Sequence, residues 1–83
     1  MKDLILVKKA KHVRKTLIEL WFTDGTRKVV DFGPYLRGPV FKPLSRPSEF
    51  KRFFVDGGTV CWPNGADVAP EALYEARAVS NAA

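Results

Sequence analysis

Thr16-Leu17-Ile18-Glu19-Leu20-Trp21-Phe22-Thr23-Asp24-Gly25-Thr26-Arg27-Lys28-Val29-Val30-Asp31-Phe32 is the stretch that decides the fold of this chain. Its first half alternates so that Ile18, Leu20 and Phe22 fall on one face of a strand. Leu17 and Trp21 leave the opposite face partly apolar, the pattern of a central strand covered on both sides. Asp24-Gly25, flanked by Thr23 and Thr26, reads as a two-residue hairpin loop whose central residues both take positive φ. Arg27 to Phe32 then returns as an antiparallel neighbour.

Working outward, residues 4–11 carry aliphatic and β-branched side chains and then turn basic. They read as a first strand ending near Ala10, with Lys11 to Lys15 as the connection. The first half is thus a three-stranded antiparallel meander. On the other side Gly33-Pro34 breaks the sheet, Tyr35 to Pro39 turns, and Val40 to Leu44 reads as extended. Pro47 to Phe53 is a short helix with Pro47 at its first position and Phe50 and Phe53 facing the core. Phe54-Val55 and Thr59 to Trp62 flank Asp56-Gly57-Gly58 as a second β-hairpin. Asn64 and Gly65 supply left-handed turn geometry, and Asp67 accepts hydrogen bonds from amides entering a helix that Pro70 opens. That helix is predicted to run to about Val79, with Ala69, Leu73 and Ala76 on one stripe. The predicted class is α+β, one small domain over residues 1–79 with a frayed tail over 80–83 and no internal repeat.

Composition narrows what this domain can be. A chain of 83 residues buries only about 60% of its unfolded surface, enough for one modest core. The single cysteine, Cys61, excludes an internal disulfide framework, which a secreted chain this small would need. The apolar run Leu4 to Val7 is too short for a signal peptide or membrane span, so a reduced cytoplasmic setting without membrane contact is expected. Net charge is +5 and uneven. Lys8, Lys9, Lys11, Arg14 and Lys15 crowd together near the start; Arg37, Lys42, Arg46, Lys51 and Arg52 follow; the last third has only Arg77. Such asymmetry allows attraction to phosphate or to an acidic protein.

Catalytic chemistry finds little support. Cys61 and His12 are the only conventional nucleophile and base, and Cys61 sits mid-strand beside Trp62, the setting of a buried, inert thiol. One cysteine and one histidine make no zinc site, and Asp24, Asp31, Asp56 and Asp67 each have a turn or strand-end role already. Gly57-Gly58 is a hairpin tip rather than a phosphate-cradling loop. No catalytic, metal or cofactor-binding residue is assigned.

Two surfaces remain. Trp62, Asn64 and Asp67, with Asp31, form a candidate recognition patch, against which stands a purely structural turn. Lys8, Lys9, Lys11, Arg14 and Lys15 form a candidate basic surface, against which stands a solvated edge strand whose lysines discourage aggregation. No aromatic residue is interleaved in that run, which argues against base stacking.

Phe22-Thr23-Asp24-Gly25, Val30-Asp31-Phe32, Val40-Phe41-Lys42-Pro43-Leu44, Phe50 and Trp62-Pro63-Asn64-Gly65-Ala66-Asp67 with Pro70 to Tyr74 together resemble a bacterial family, the "domain of unknown function" numbered 2442. The likeness runs from about Leu4 to Glu75. It implies a small α+β domain of prokaryotic cytoplasm with no assigned activity. It also implies relatives that carry a helix-turn-helix appendage, for which this chain has no room, or that are encoded beside a second small protein in an arrangement like a toxin–antitoxin pair. Arg46 departs from the family pattern, which favours an acidic helix cap before Pro47; Ser45 is expected to substitute. The expected function is a non-enzymatic protein-interaction module, an adaptor or antitoxin-like partner of another small protein, that needs no cofactor. The alternatives are nucleic-acid binding through the basic surface and, less well supported, an enzyme using Asp31, Asn64 and Asp67.

Overall fold

Alternation sets the first sheet. In the computed structural model, which describes residues 4–79, strand β2 (Leu17–Phe22) buries Ile18, Leu20 and Phe22 completely and leaves Leu17, Glu19 and Trp21 half-buried. It lies between β1 (Val7–Arg14) and β3 (Arg27–Asp31), both antiparallel to it. Then come a 3-10 turn at Gly33–Tyr35, helix α1 (Gly38–Phe41), a second 3-10 turn at Lys42–Ser45 and helix α2 (Pro47–Phe50). Strands β4 (Phe54–Asp56), β5 (Thr59–Cys61) and β6 (Asp67–Val68) form a second antiparallel sheet, and helix α3 (Pro70–Glu75) closes the fold. The α+β class, the meander, the second hairpin and the C-terminal helix all stand as predicted.

Several boundaries differ. β1 continues through Arg14, because the register shifts between Val7 and Lys9 and between His12 and Arg14. Such bulges absorb one extra residue each, so the lysine-rich run stays paired to β2 rather than forming a loop. Val40 to Leu44 is helical, not extended: Pro39 and Pro43 stand near the starts of α1 and the second 3-10 turn, where proline is tolerated. Ser45 does not cap α2; its hydroxyl donates to the Lys42 carbonyl, and Arg46 occupies the cap without a side-chain bond. Asp67 does not cap α3 either, because it lies in β6 opposite Cys61 and the cap position is Ala69. Helix α3 stops at Glu75, and Ala76 is already extended, so Ala76 leaves the predicted stripe. The tail expected over 80–83 lies outside the described residues.

Two turns share one local pattern that the spacing of Asp24-Gly25 alone does not predict. Phe22 and Trp62 are both buried, and each begins the pattern aromatic-x-Asx-Gly-x. In the first turn Gly25 N–H donates to Phe22 O and Phe22 N–H to Thr26 O; in the second Gly65 N–H donates to Trp62 O and Trp62 N–H to Ala66 O. Asp24 Oδ1 accepts from Thr26 N–H at 2.9 Å, and Asn64 Oδ1 accepts from Ala66 N–H at 3.0 Å. Only the glycines, each at φ +92°, take the left-handed conformation; Asp24 and Asn64 do not. Both are therefore three-residue hairpin loops, a type I turn followed by a glycine bulge, rather than the two-residue loop expected at Asp24-Gly25. The two-residue loop occurs instead at Gly57-Gly58, where both φ angles are positive.

One contiguous core joins the buried face of the first sheet (Val7, Ile18, Leu20, Phe22, Val30) to Leu44 and Phe50, to Val60, Trp62 and Val68, and to Leu73 of α3. Helix α3 packs on the sheet through Leu73 and through Tyr74, whose ring meets Phe22 edge-on at 5.2 Å. Lys28 reaches under its end, its ammonium donating to the carbonyls of Tyr74 and Ala76. Tyr74 Oη also donates to Asp24 Oδ2 at 2.7 Å, tying the helix to the first turn. That bond, ahead of the Thr26 amide, holds the Asp24 carboxyl below its ordinary 3.8. A depressed carboxyl pKa stabilises the fold above the unfolded value and loses that effect as pH falls through the folded one. Tyr74→Phe is therefore expected to raise the Asp24 pKa, read by carboxyl NMR titration. An unmoved pKa would assign the depression to the turn amide instead.

Candidate interaction surfaces

The proposed recognition patch comes apart. Trp62 is 1% exposed and its Nε1–H donates to Phe50 O at 2.8 Å, so it is a core residue and offers no surface to a partner. Asn64 spends its amide on Val40 O and its oxygen on Ala66 N–H, which joins the turn to α1. Asp31 accepts from the Thr16 hydroxyl at 2.7 Å and from Gly33 N–H at 2.8 Å, ending β3. Asp67 is exposed, away from the other three in role, and faces Cys61 across the β5–β6 pair.

Cys61 is half-buried rather than buried. Burial, then the charge of Asp67, pushes its thiol pKa up, the opposite of an activated nucleophile. His12 sits on the first sheet, its Nε2 2.9 Å from Lys15 O and its ring edge-on to Phe50. Among the described residues, no group of three or more His, Cys, Asp or Glu could hold a metal ion. No described helix is long and apolar enough to cross a membrane.

The basic residues divide by strand geometry. Lys9, Lys11 and Arg14 pair with Trp21, Glu19 and Leu17 and share the outer face of the first sheet. Lys8 falls at the first bulge, and Lys15 lies in the turn to β2 with φ +47°. On the other side of β2, Arg27 pairs with Trp21 and Val29 with Glu19. One row therefore runs Lys9–Trp21–Arg27, with the Lys9 ammonium 4.8 Å and the Arg27 guanidinium 5.4 Å from the indole centroid. Arg27 also pairs with the Glu19 carboxylate. The outer face is covered by these long side chains lying along apolar surface, not by the further layer that Leu17 and Trp21 suggested. An aromatic residue does stand among the cations, supplied by the neighbouring strand. Contiguous sequence could not reveal it.

The other notable surface is the outer edge of β3. The bonds Phe22 N–H to Thr26 O and Phe32 N–H to Thr16 O fix which residues of β3 point their main chain at β2. Alternation then turns the N–H and C=O of Arg27, Val29 and Asp31 away from it. After α3 the chain runs back along this edge, and Val79 N–H donates to Val29 O at 2.8 Å. A surface cavity of about 520 Å³ opens beside Val30, Pro34, Tyr35 and the returning segment. A second, of about 400 Å³, opens beside Glu19, Arg27, Val29 and the same segment.

Residues 7–78 match the family model described as "Protein of unknown function (DUF2442)". The chain belongs to this family. The match spans both sheets and α3. No curated protein and no solved structure matches the chain. Family membership assigns no chemistry, so any function must come from the surfaces.

Proposed function

We propose that this protein is a non-enzymatic protein-interaction module that receives an extended segment of a small partner protein along the outer edge of β3. The observation that carries this reading is the edge itself. Three residues turn their main chain outward, the described chain covers them through one backbone bond from Val79, and cavities open beside that segment. Strand addition uses those parts: main-chain groups for affinity and pockets for alternate side chains. Residues 76–79 act as a guard that a partner strand displaces, which protects the edge from indiscriminate pairing. The role that fits is an adaptor or antitoxin-like member of a two-gene system in prokaryotic cytoplasm, its partner encoded nearby.

The test is a tagged pull-down from native cytoplasm, with and without nuclease, using wild type and Val29→Pro. The Val29 N–H points off the sheet, so proline there removes no bond to β2 yet blocks an incoming strand. One stoichiometric protein should survive nuclease with wild type and be lost with Val29→Pro. Retention of the same protein by Val29→Pro would sink the strand-addition reading. Failure of the purified protein to bind its gene neighbour at micromolar concentration would sink the two-gene reading.

A further inference from the structure

We propose that the outer face of the first sheet is a binding site for single-stranded nucleic acid, with Trp21 as the stacking platform and Lys9, Lys11 and Arg14 as the phosphate contacts. This site is separate from the β3 edge and does not depend on the reading above. The β1 cations and Trp21 lie on one face of one rigid sheet, placed there by the register of β1 on β2 and of β2 on β3. Lys9 and Lys11 are two residues apart on a strand, about 7 Å, and Arg14 continues the line past the second bulge. Of the carboxylates on this face, Glu19 is engaged by Arg27, and Asp31, in the row of Arg14 and Leu17, accepts from the Thr16 hydroxyl and Gly33 N–H.

Charge alone would suit any polyanion, an acidic protein included. The half-exposed indole is what favours bases. A carboxylate-rich surface is met by cations alone, whereas a π-face beside cations also offers a base a surface to stack on. In the free protein Lys9 and Arg27 lie on that ring as cation–π contacts. A phosphate would draw Lys9 off the indole and uncover that ring for a base, while Arg27 stays with Glu19. Duplex is disfavoured because the face is the surface of a three-stranded sheet rather than a helix or two-stranded ribbon of the kind that enters a groove. The combination of aromatic stacking with cations that track the backbone is the one by which sheet-based modules hold single strands without reading sequence.

The experiment is a fluorescence titration of the full chain with oligothymidylate of about 12 nucleotides, within the span small single-strand binders cover. Of the two tryptophans, Trp62 is buried and serves as the internal reference for an intact core, while Trp21 reports stacking. Quenching is expected at low salt. Affinity should fall about twentyfold between roughly 50 and 200 mM salt, the dependence of about three phosphate contacts on a single strand. Trp21→Ala should weaken binding about tenfold or more, and Trp21→Phe by less, since phenylalanine keeps a stacking face. Lys11→Glu, which leaves the core untouched, should lower the salt slope as well as the affinity.

Absence of quenching at low salt would overturn the site. Unchanged affinity of Trp21→Ala, measured by anisotropy of a labelled oligonucleotide, would reduce it to a charge patch and overturn the stacking claim. Equal binding of polyglutamate would assign the face to an acidic protein, and tighter binding of duplex would remove the single-strand preference. Neither Trp21 nor Lys11 touches the β3 edge cavities, so failure here leaves the strand-addition test intact, and the reverse.

Discussion

Trp62→Ala is expected to lower the unfolding free energy by about 3–5 kcal/mol, as truncation of a buried aromatic does. The indole lies 5.8–6.5 Å, centre to centre, from the rings of Phe32, Phe41, Phe50 and Phe53, so it ties α1, α2 and the end of the first sheet into one cluster. Its Nε1–H satisfies the Phe50 carbonyl, which would be left buried without that partner. Helices α1 and α2 are four residues each and lack side-chain caps, too short to hold themselves. They stand because they pack on Trp62. A domain of 83 residues has roughly 5–10 kcal/mol to lose, so the variant should forfeit about a third or more of its stability and its urea midpoint should fall in proportion. Urea unfolding followed by circular dichroism checks this. Trp62→Phe separates the ring from the hydrogen bond and should cost about half as much. A loss below about 1.5 kcal/mol for Trp62→Ala would mean that the segment from Gly38 to Phe53 folds without it.

The same residue shows where sequence is informative and where it is not. Trp-Pro-Asn-Gly leaves a structural turn and an exposed recognition patch both open, because tryptophan beside turn residues is ambiguous between surface and core. The structure resolves it through register: Trp62 immediately follows β5, and Phe50 supplies the carbonyl that lets a polar nitrogen be buried. No local pattern contains that carbonyl. Periodicity, by contrast, was sufficient for β2. Ile18, Leu20 and Phe22 are fully buried as their spacing required, and Val30 follows as the cross-strand partner of Ile18. The lysine run failed as a loop prediction because bulges let a basic edge strand keep its pairing while breaking strict alternation. By spacing alone Trp21 is apolar cover on a central strand. Its meaning changes once Lys9 and Arg27 are seen to flank it from strands on either side. Sheets bring together residues that are remote in sequence, so surface sites on them are the least legible part of a chain.

Lys28 is the case that no motif could have flagged, and it carries the second large effect. Its stem lies on the core side of β3, opposite Leu20, and its ammonium lies under the last turn of α3 and donates to the carbonyls of Tyr74 and Ala76. These are carbonyls that a helix end leaves without intrahelical donors, and a cation there also meets the negative end of the helix dipole. Lys28→Met keeps the stem and removes the donor, so about 2 kcal/mol of stability should be lost. The loss should be directional. Helix α3 has only six residues, and the segment beyond it meets β3 through the bond from Val79 to Val29, so the Val79 amide should lose hydrogen-exchange protection before the sheet does. The pH dependence separates two causes. Burial holds the Lys28 pKa below its ordinary 10.5, so between those values the unfolded chain binds more protons and this group adds stability as pH rises. The gap between wild type and Lys28→Met should therefore widen from neutral pH toward 10.5. A gap that closes over that range would show that the two carbonyls stabilise the charged form more than burial disfavours it. If Val79 keeps its protection in Lys28→Met, the returning segment is held by something other than this lysine, and the guard on the β3 edge must be sought beyond the helix end.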